Sequence, residues 1–238
     1  MKAELLVAAL LLCGCNLVST NTFSVPYSFS PISYESKFGD AQGTVPAIMC
    51  DPADANSCSA VQIPPGSSLM AVCDDKARSC AATAELRLSY PVDLSMENLP
   101  SEAIMYGINF VRISKVEYWS TNDTLNFNTP LIDLYVAPAT AQDETGGTKL
   151  GSIGPITPGG TPTCSDMRDS DTAAGTSMVC DMPLDSDGEN ALENFVKDYK
   201  TEFQFIAHAK VSAMAGEPLP AGTLDFTVRP VISIGILK

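Results

Sequence analysis

The sequence is poor in the residue types that most catalytic and metal sites use. Its 238 residues include one histidine, His208, and one tryptophan, Trp119. A catalytic Ser-His-Asp triad or Cys-His pair would have to use His208. This residue occupies a polar position in a segment of alternating polar and apolar residues, as expected of a surface residue on a strand. No Gly-x-Ser-x-Gly segment and no Gly-rich phosphate loop is present. We therefore predict no catalytic residue, no metal and no cofactor, and we interpret Trp119 as a core or rim aromatic.

Positive charge is also scarce. The chain has 14 Lys and Arg against 28 Asp and Glu, which gives a net charge of −14. Nucleic acid and anionic lipid surfaces attract proteins through clustered basic residues, so this balance argues against both as electrostatic partners. Hydrophobic residues make up 45% and charged residues 18% of the chain. This composition is typical of a folded body and not of a disordered chain.

The apolar run near the amino terminus is too short to span a membrane. Residues 5–12 form an uninterrupted apolar segment of eight residues, whereas a transmembrane helix needs about 20. Lys2 precedes the run and supplies a minimal positive region. The segment is therefore typical of the core of a secretory signal peptide.

The run ends in Leu12-Cys13-Gly14-Cys15, which resembles the lipobox of bacterial lipoproteins. The resemblance implies a signal peptide at residues 1–14 that is cut before Cys15. It also implies that Cys15 carries a thioether-linked diacylglycerol and that the new amino terminus is acylated, for example with palmitate. Cysteine suits this role because its thiolate is a strong nucleophile at ordinary pH. An ordinary cleaved signal with two incidental cysteines is the alternative.

The same resemblance implies a place in the cell envelope. Residues 15–22 are mostly small or polar and would form a lipidated tether to the membrane. Position +2 is Asn16, without the Asp that marks retention in the inner membrane, and this favours the outer membrane. The body resembles envelope lipoproteins only in general style, which implies no particular activity.

Six cysteines remain once Cys13 and Cys15 are assigned to the leader and the anchor. An even number in an exported chain predicts three disulfides, formed by Cys50, Cys58, Cys73, Cys80, Cys164 and Cys180. Zinc is the alternative for the first four, but zinc ribbons use Cys-x2-Cys pairs and these spacings are longer. Four cysteines allow three pairings, and a hairpin closed by Cys73–Cys80 is mildly favoured. Cys180 is predicted to lie in the strand that follows Cys164, so a Cys164–Cys180 bond would close the Asp/Ser/Thr-rich loop between them.

Residues 23–238 show the period-two alternation of half-buried β-strands. We predict an all-β fold, an antiparallel β-sandwich of immunoglobulin-like or jelly-roll type, with one helix at 187–199 capped by Ser186 or Asp187. Residues 36–80 are predicted to be a cysteine-rich, loop-rich subregion with small strands at 60–63 and 69–73. Pro26 favours an edge position for the first strand. The predicted strands are residues 23–29, 82–94, 108–120, 125–130, 131–136, 149–156, 203–213 and 224–236.

The sequence favours a non-enzymatic envelope module for binding, adhesion or assembly, with a protein or glycan partner. A secreted hydrolase that acts on glycan or peptide through carboxylates is one alternative. Calcium-dependent adhesion is another, because carboxylates gather around the third cysteine pair; they are Asp166, Asp169, Asp171, Asp181, Asp185, Asp187 and Glu189. A cleft with converging acids would favour the hydrolase, and an open sheet edge would favour binding.

Overall fold

The alternating segments form strands that pair into two antiparallel sheets. The structure, a computed structural model, describes residues 22–237 except 41, 55, 64–66, 95–104, 106, 160, 163, 165–166, 173–174 and 199. Its strands are β1 Thr22–Ser28, β2 Ile32–Gly39, β3 Met70–Asp74, β4 Ser79–Val92, β5 Ile108–Asp123, β6 Ile132–Pro138, β7 Thr148–Ile153, β8 Ile156–Thr157, β9 Thr161–Pro162, β10 Arg168–Thr172, β11 Gly175–Asp181, β12 Phe203–Ala213 and β13 Gly222–Leu237. The predicted antiparallel β-sandwich is confirmed.

The first sheet is organised around the long strands β13 and β5. Its order is β1-β13-β5-β11-β10, and β2 also pairs with β13. β1 pairs with residues 231–237 and β2 with residues 222–228 of β13, so the two share one side of that strand. β1 therefore lies at the sheet edge, where Pro26 removes no bond that a neighbouring strand needs.

The second sheet has the order β3-β4-β12-β6-β7. Phe203 and Phe205 of β12 are fully buried and stack edge to face, with ring centroids 5.5 Å apart. Tyr34 of β2 reaches the same layer from the first sheet, because its hydroxyl donates to the carbonyl oxygen of Phe205 at 3.5 Å. The core thus lies between the inward rows of the two sheets, as in other sandwiches.

The helix α1, Ser186–Lys197, packs against β5 of the first sheet and β7 of the second. Leu192 and Val196 are fully buried, which accounts for their helical spacing in the sequence. The N-cap residue is Asp185, in extended conformation. The prediction of a helix near 187–199 is confirmed, whereas the predicted caps Ser186 and Asp187 lie one and two residues inside the helix.

The cysteine-rich subregion folds onto the hairpin β3–β4. Its disulfides join Cys50 to Cys73 and Cys58 to Cys80, and the third joins Cys164 to Cys180. Three disulfides were predicted and are present. The favoured Cys73–Cys80 bond is wrong, although β3 and β4 do form the expected hairpin, because each of the two cysteines bonds to the preceding loop instead.

Several predicted elements differ from the structure. Residues 125–130 form no strand, because the N–H of Asn126 bonds to the carbonyl of Ala221 and the N–H of Thr129 bonds to that of Ile156, which gives no continuous ladder. Residues 60–63 are irregular and form no strand, and the predicted strand at 149–156 is divided into β7 and β8. The strand predicted at Cys180 is present as β11, Gly175–Asp181, whereas β2 and β10 were not predicted as strands.

The predicted signal peptide at residues 1–14 and the lipid attachment at Cys15 lie outside the described residues. Almost all of the tether lies outside them as well. Among the described residues, no helix is long and apolar enough to cross a membrane.

Candidate functional site

The central strand β12 is longer than its neighbour β6 on one side. β4 pairs with β12 over its whole length, from Phe203 to Ala213. The pairing with β6 stops at His208, opposite Asp133. Residues 209–213 therefore have a ladder partner on the β4 side and, within the described strands, none on the β6 side.

The side to which the backbone groups of residues 209–213 point can be read from a hydrogen bond at the start of β12. The carbonyl oxygen of Glu202 accepts from the N–H of Ala139 at 3.4 Å, so Glu202 faces the β6 side. Backbone groups point to alternate sides from one residue to the next, and neither ladder of β12 contains a bulge. The N–H and C=O groups of Lys210 and Ser212 therefore point to the side where β6 is missing.

A cavity of about 600 Å³ lies along this open edge. Its far wall is the loop of residues 126–130, which is held away from β12 by other bonds. Thr129 donates its N–H to the carbonyl of Ile156, and its hydroxyl accepts from the Ile156 N–H at 2.8 Å. Asn126 is fixed to the carbonyl of Leu219 and the N–H of Ala221. The groove is thus preformed by hydrogen bonds of its own wall.

The lining of the groove is mixed. Apolar surface comes from Phe127, Val211 and Pro218, and polar side chains come from Asn128, Lys210, Ser212 and Glu217. Lys210 and Ser212 are exposed, whereas Val211 and Ala213 are buried on the core side of the strand. The open edge therefore presents one apolar and one polar row, as expected of a strand with one solvated face.

The histidine lies next to the groove, on the outer face of the same strand. Its Nε2 is 3.0 Å from Oε1 of Glu85 and 3.8 Å from Oε1 of Glu144. The donor atoms of these three residues all lie within 4.8 Å of one another. The sequence placed His208 on the polar face of β12 correctly, but it gave no indication that Glu144, from a distant loop, would join it.

Arg87 pairs with both carboxylates of this group, which we call the His208 cluster (Glu85, Arg87, Glu144 and His208). Its guanidinium donates to Glu144 at 2.9 Å and to Glu85 at 2.9 Å. The backbone N–H of Glu144 and the Arg87 guanidinium lower the pKa of the Glu144 carboxyl below its usual value. A glycosidase needs one carboxylic acid with a raised pKa, so Glu144 does not fit the role of the acid.

A second charged cluster lies buried on the outer face of the first sheet. The side chain of Glu117 is 3% exposed and accepts bonds from Lys115 at 2.6 Å, Arg168 at 2.6 Å and Arg229 at 2.6 and 2.8 Å. Burial alone would raise the pKa of Glu117, but the three cationic donors lower it to about 2. Trp119 is buried beside this cluster, with the Arg229 guanidinium 5.4 Å from its ring centre.

The Glu117 cluster has a structural role. Arg168 of β10 also binds both carboxylate oxygens of Asp181 at 2.7 Å. This arrangement attaches the hairpin of β10 and β11 to β5 and β13. Each carboxylate oxygen of Glu117 and Asp181 accepts at least one hydrogen bond from a cationic side chain. Trp119 is therefore a buried aromatic in this packing and is not an exposed contact for a sugar.

The carboxylates considered for calcium divide into two groups. The side chains of Asp166, Asp169 and Asp171 lie outside the described residues. Asp181 is paired with Arg168, Asp185 is the N-cap of α1, and Asp187 and Glu189 lie in its first turn. The groups of three or more possible ligands found among the described residues include none of these four.

Comparison with known proteins gave no match to a family model or to a curated protein. The candidate site therefore depends on geometry alone. Sequence reasoning missed the groove because its defining feature is an absent strand partner. The one available signal was Pro130, which lacks an N–H and interrupts the segment that would otherwise extend β6 along β12.

Proposed function

We propose that this protein is a membrane-anchored envelope lipoprotein that binds an extended segment of a partner protein at the open edge of β12. The observation that supports the binding role most directly is the pair of residues Lys210 and Ser212, whose backbone groups face the groove. Backbone N–H and C=O groups at strand spacing are complementary to another extended chain, and strand addition is a common mode of peptide recognition. The role is non-enzymatic.

The groove sets the length and the chemistry of the segment. Residues 209–213 extend over about 17 Å, since a strand rises ~3.4 Å per residue, so a segment of roughly five residues fills the open edge. Its side chains would alternate between an apolar row beside Val211 and Phe127 and a polar row beside Lys210 and Ser212. An alternating segment of small apolar and polar residues therefore fits best.

The anchor is carried by the sequence Leu12-Cys13-Gly14-Cys15. Acylation at Cys15 would hold the sandwich at the membrane surface through several acyl chains, because a single chain gives only marginal binding and several give a stable anchor. Intact mass spectrometry of the protein purified from a bacterial envelope tests this part. We expect the mass of residues 15–238 plus the lipid; the mass of the unmodified chain would contradict acylation.

A proline at position 212 tests the groove. Ser212→Pro removes the N–H that faces the groove, and this N–H makes no bond to β4. Ser212→Ala changes the same side chain but keeps the N–H, and it serves as the matched control. Each variant is displayed in the native envelope, crosslinked to its neighbours and purified. The partner segment identified in the crosslinked product is then made as a synthetic peptide, and its binding to each variant is titrated in solution.

We expect the wild type and Ser212→Ala to bind the peptide alike and Ser212→Pro to bind it at least tenfold more weakly, with an unchanged melting temperature. Equal binding by Ser212→Pro would show that β12 is not the contact. Recovery of a glycan in place of a polypeptide would also contradict the proposal, as would loss of binding on calcium chelation.

A further inference from the structure

Two disulfides lie side by side under the hairpin of β3 and β4. Cys50 bonds to Cys73, and Cys58 bonds to Cys80. The sulfur atoms of Cys50, Cys58 and Cys80 lie within 4.8 Å of one another. Each disulfide therefore has a sulfur of the other within close reach, an arrangement that the isolated Cys164–Cys180 bond does not share.

The register of the hairpin also places Cys73 directly opposite Cys80. The N–H of Cys80 donates to the carbonyl of Ile48 at 2.9 Å, on the side of β4 away from β3. Cys73 and Cys80 are thus a non-hydrogen-bonded pair, in which Cα atoms are about 4.5 Å apart. Disulfides span Cα separations of roughly 4.4–6.8 Å, so the unused pairing Cys73–Cys80 is within bonding distance.

The two disulfides differ in their access to solvent. Cys58 and Cys80 are buried, with 4% and 0% of their surface exposed. Cys50 and Cys73 are half-buried. A thiol from solution therefore meets the Cys50–Cys73 bond first and reaches the other bond only through an internal sulfur.

We propose that these four cysteines form a disulfide-exchange site for an external thiol. The thiolate attacks Sγ of Cys50, which forms a mixed disulfide and releases the Cys73 thiolate. Cys73 then attacks Sγ of Cys80 across the hairpin, which forms the Cys73–Cys80 bond and releases the Cys58 thiolate. Attack of Cys58 on Sγ of Cys50 forms Cys50–Cys58 and returns the external thiolate, so no electrons are gained or lost.

The exchange changes which segments are covalently joined. In the structure both bonds attach the loop that contains Cys50 and Cys58 to the hairpin. After exchange, each bond closes only its own segment, and the loop is released from the hairpin. A second thiol can take the place of Cys58 in the last step; it becomes oxidised to a disulfide with the first, and Cys50 and Cys58 remain as free thiols. The ligand class is therefore a thiol, and a partner with two thiols would act as a reductant.

Limited treatment of the native protein with dithiothreitol tests the exchange. Samples are blocked with N-ethylmaleimide at acidic pH to prevent further exchange and are then cut at Asp51, Leu69 and Lys76, which puts each of the four cysteines on its own fragment. We expect a joined fragment containing Cys73 and Cys80 while Cys164–Cys180, the internal control, stays intact. The proposal is wrong if the two native disulfides are reduced and alkylated one after the other and no joined fragment of Cys73 and Cys80 appears.

A double variant tests the hairpin geometry without a reductant. Cys50→Ser with Cys58→Ser leaves Cys73 and Cys80 as the two cysteines of the subregion. We expect them to join, so that a thiol assay on the unfolded protein finds neither free. Two free thiols in a folded variant would show that the cross-strand pair is out of reach. If the variant does not fold, the fragment map of the wild type decides the question.

Discussion

Replacing Glu117 with glutamine should destabilise the sandwich by removing the anion at the centre of a buried cluster. The carboxylate is 3% exposed and receives charge-assisted bonds from Lys115, Arg168 and Arg229. Glutamine keeps the shape but directs a neutral amide at three cations. Removing one partner of a buried ion pair leaves the others uncompensated, which costs about 3–5 kcal/mol in the most buried cases.

The pKa of Glu117 gives a second measure of the same energy. Its decrease from 4.5 to about 2 corresponds to roughly 3 kcal/mol, since one pKa unit is worth ~1.4 kcal/mol. Lys115 and Arg168 are about a third exposed, so solvent screens part of the interaction. We expect Glu117→Gln to lower the free energy of unfolding by about 2–3 kcal/mol at pH 7.

The effect has a defined pH dependence. A carboxyl whose pKa is lowered in the folded state stabilises the protein above its unfolded value of 4.5, and this contribution is lost as the pH falls towards 2. The difference in free energy of unfolding between the wild type and Glu117→Gln should therefore have its full value at pH 7 and should decrease between pH 4.5 and pH 2. Reversible denaturant unfolding, with disulfides intact, measures it.

An exposed ion pair supplies the control. Oε1 of Glu35 lies 2.6 Å from Nζ of Lys37, but the two side chains are 59% and 70% exposed. Solvent screens such a pair, so Glu35→Gln should leave the free energy of unfolding almost unchanged. The reasoning is refuted if Glu117→Gln costs no more than Glu35→Gln at pH 7. A stability difference that persists unchanged at pH 2 would refute it as well.

Three further variants test the packing, the third disulfide and the core. A Cβ at Gly188 would overlap the backbone carbonyl oxygen of Lys149 in β7, so Gly188→Ala should cost about 1–3 kcal/mol or more in denaturant unfolding, whereas Asn190→Ala on the exposed face of α1 should cost nothing. Replacing Cys164 and Cys180 together by serine opens a loop of 16 residues and should cost ~3 kcal/mol; a melting curve equal to that of the wild type would contradict this. Burial raises the pKa of Tyr34, so this residue should ionise after the exposed tyrosines in an ultraviolet titration, and Tyr34→Phe should remove that late step.

Elements whose side chains alternate could be located from the sequence because the pattern is local. The segment 203–213 was predicted from its alternation, and β12 has the bounds Phe203–Ala213. The helix was predicted from the spacing of Leu192 and Val196, which are buried. β2 shows the same alternation, with Ile32, Tyr34 and Phe38 buried, but it was overlooked because part of it falls in the Gly/Pro/Asp/Ser-rich region.

The partners of each element could not be predicted, because pairing depends on residues far apart in sequence. Leu125 and Phe127 alternate like a strand, yet the N–H of Asn126 bonds to the carbonyl of Ala221 and the loop is held away from β12. Glu85 and Glu144 meet at His208 only after β4, β12 and the loop before β7 have assembled. Alternation indicates which side chains face inward, and it contains no information about which strand is adjacent.

Both candidate sites lie where one strand of a pair continues and its partner does not. β12 continues past β6 at His208, so among the described strands none pairs with the backbone groups of Lys210 and Ser212 on that side. β4 continues past β12 at its amino-terminal end, because the pairing stops at Ala82 and Cys80 instead takes the carbonyl of Ile48 as its acceptor. A ladder that is complete holds its backbone in fixed bonds, whereas a strand end can exchange partners at little cost. Both proposed sites thus lie at the ends of ladders. A change of partner there, either a hydrogen-bonded strand or a disulfide sulfur, would leave the rest of each ladder intact.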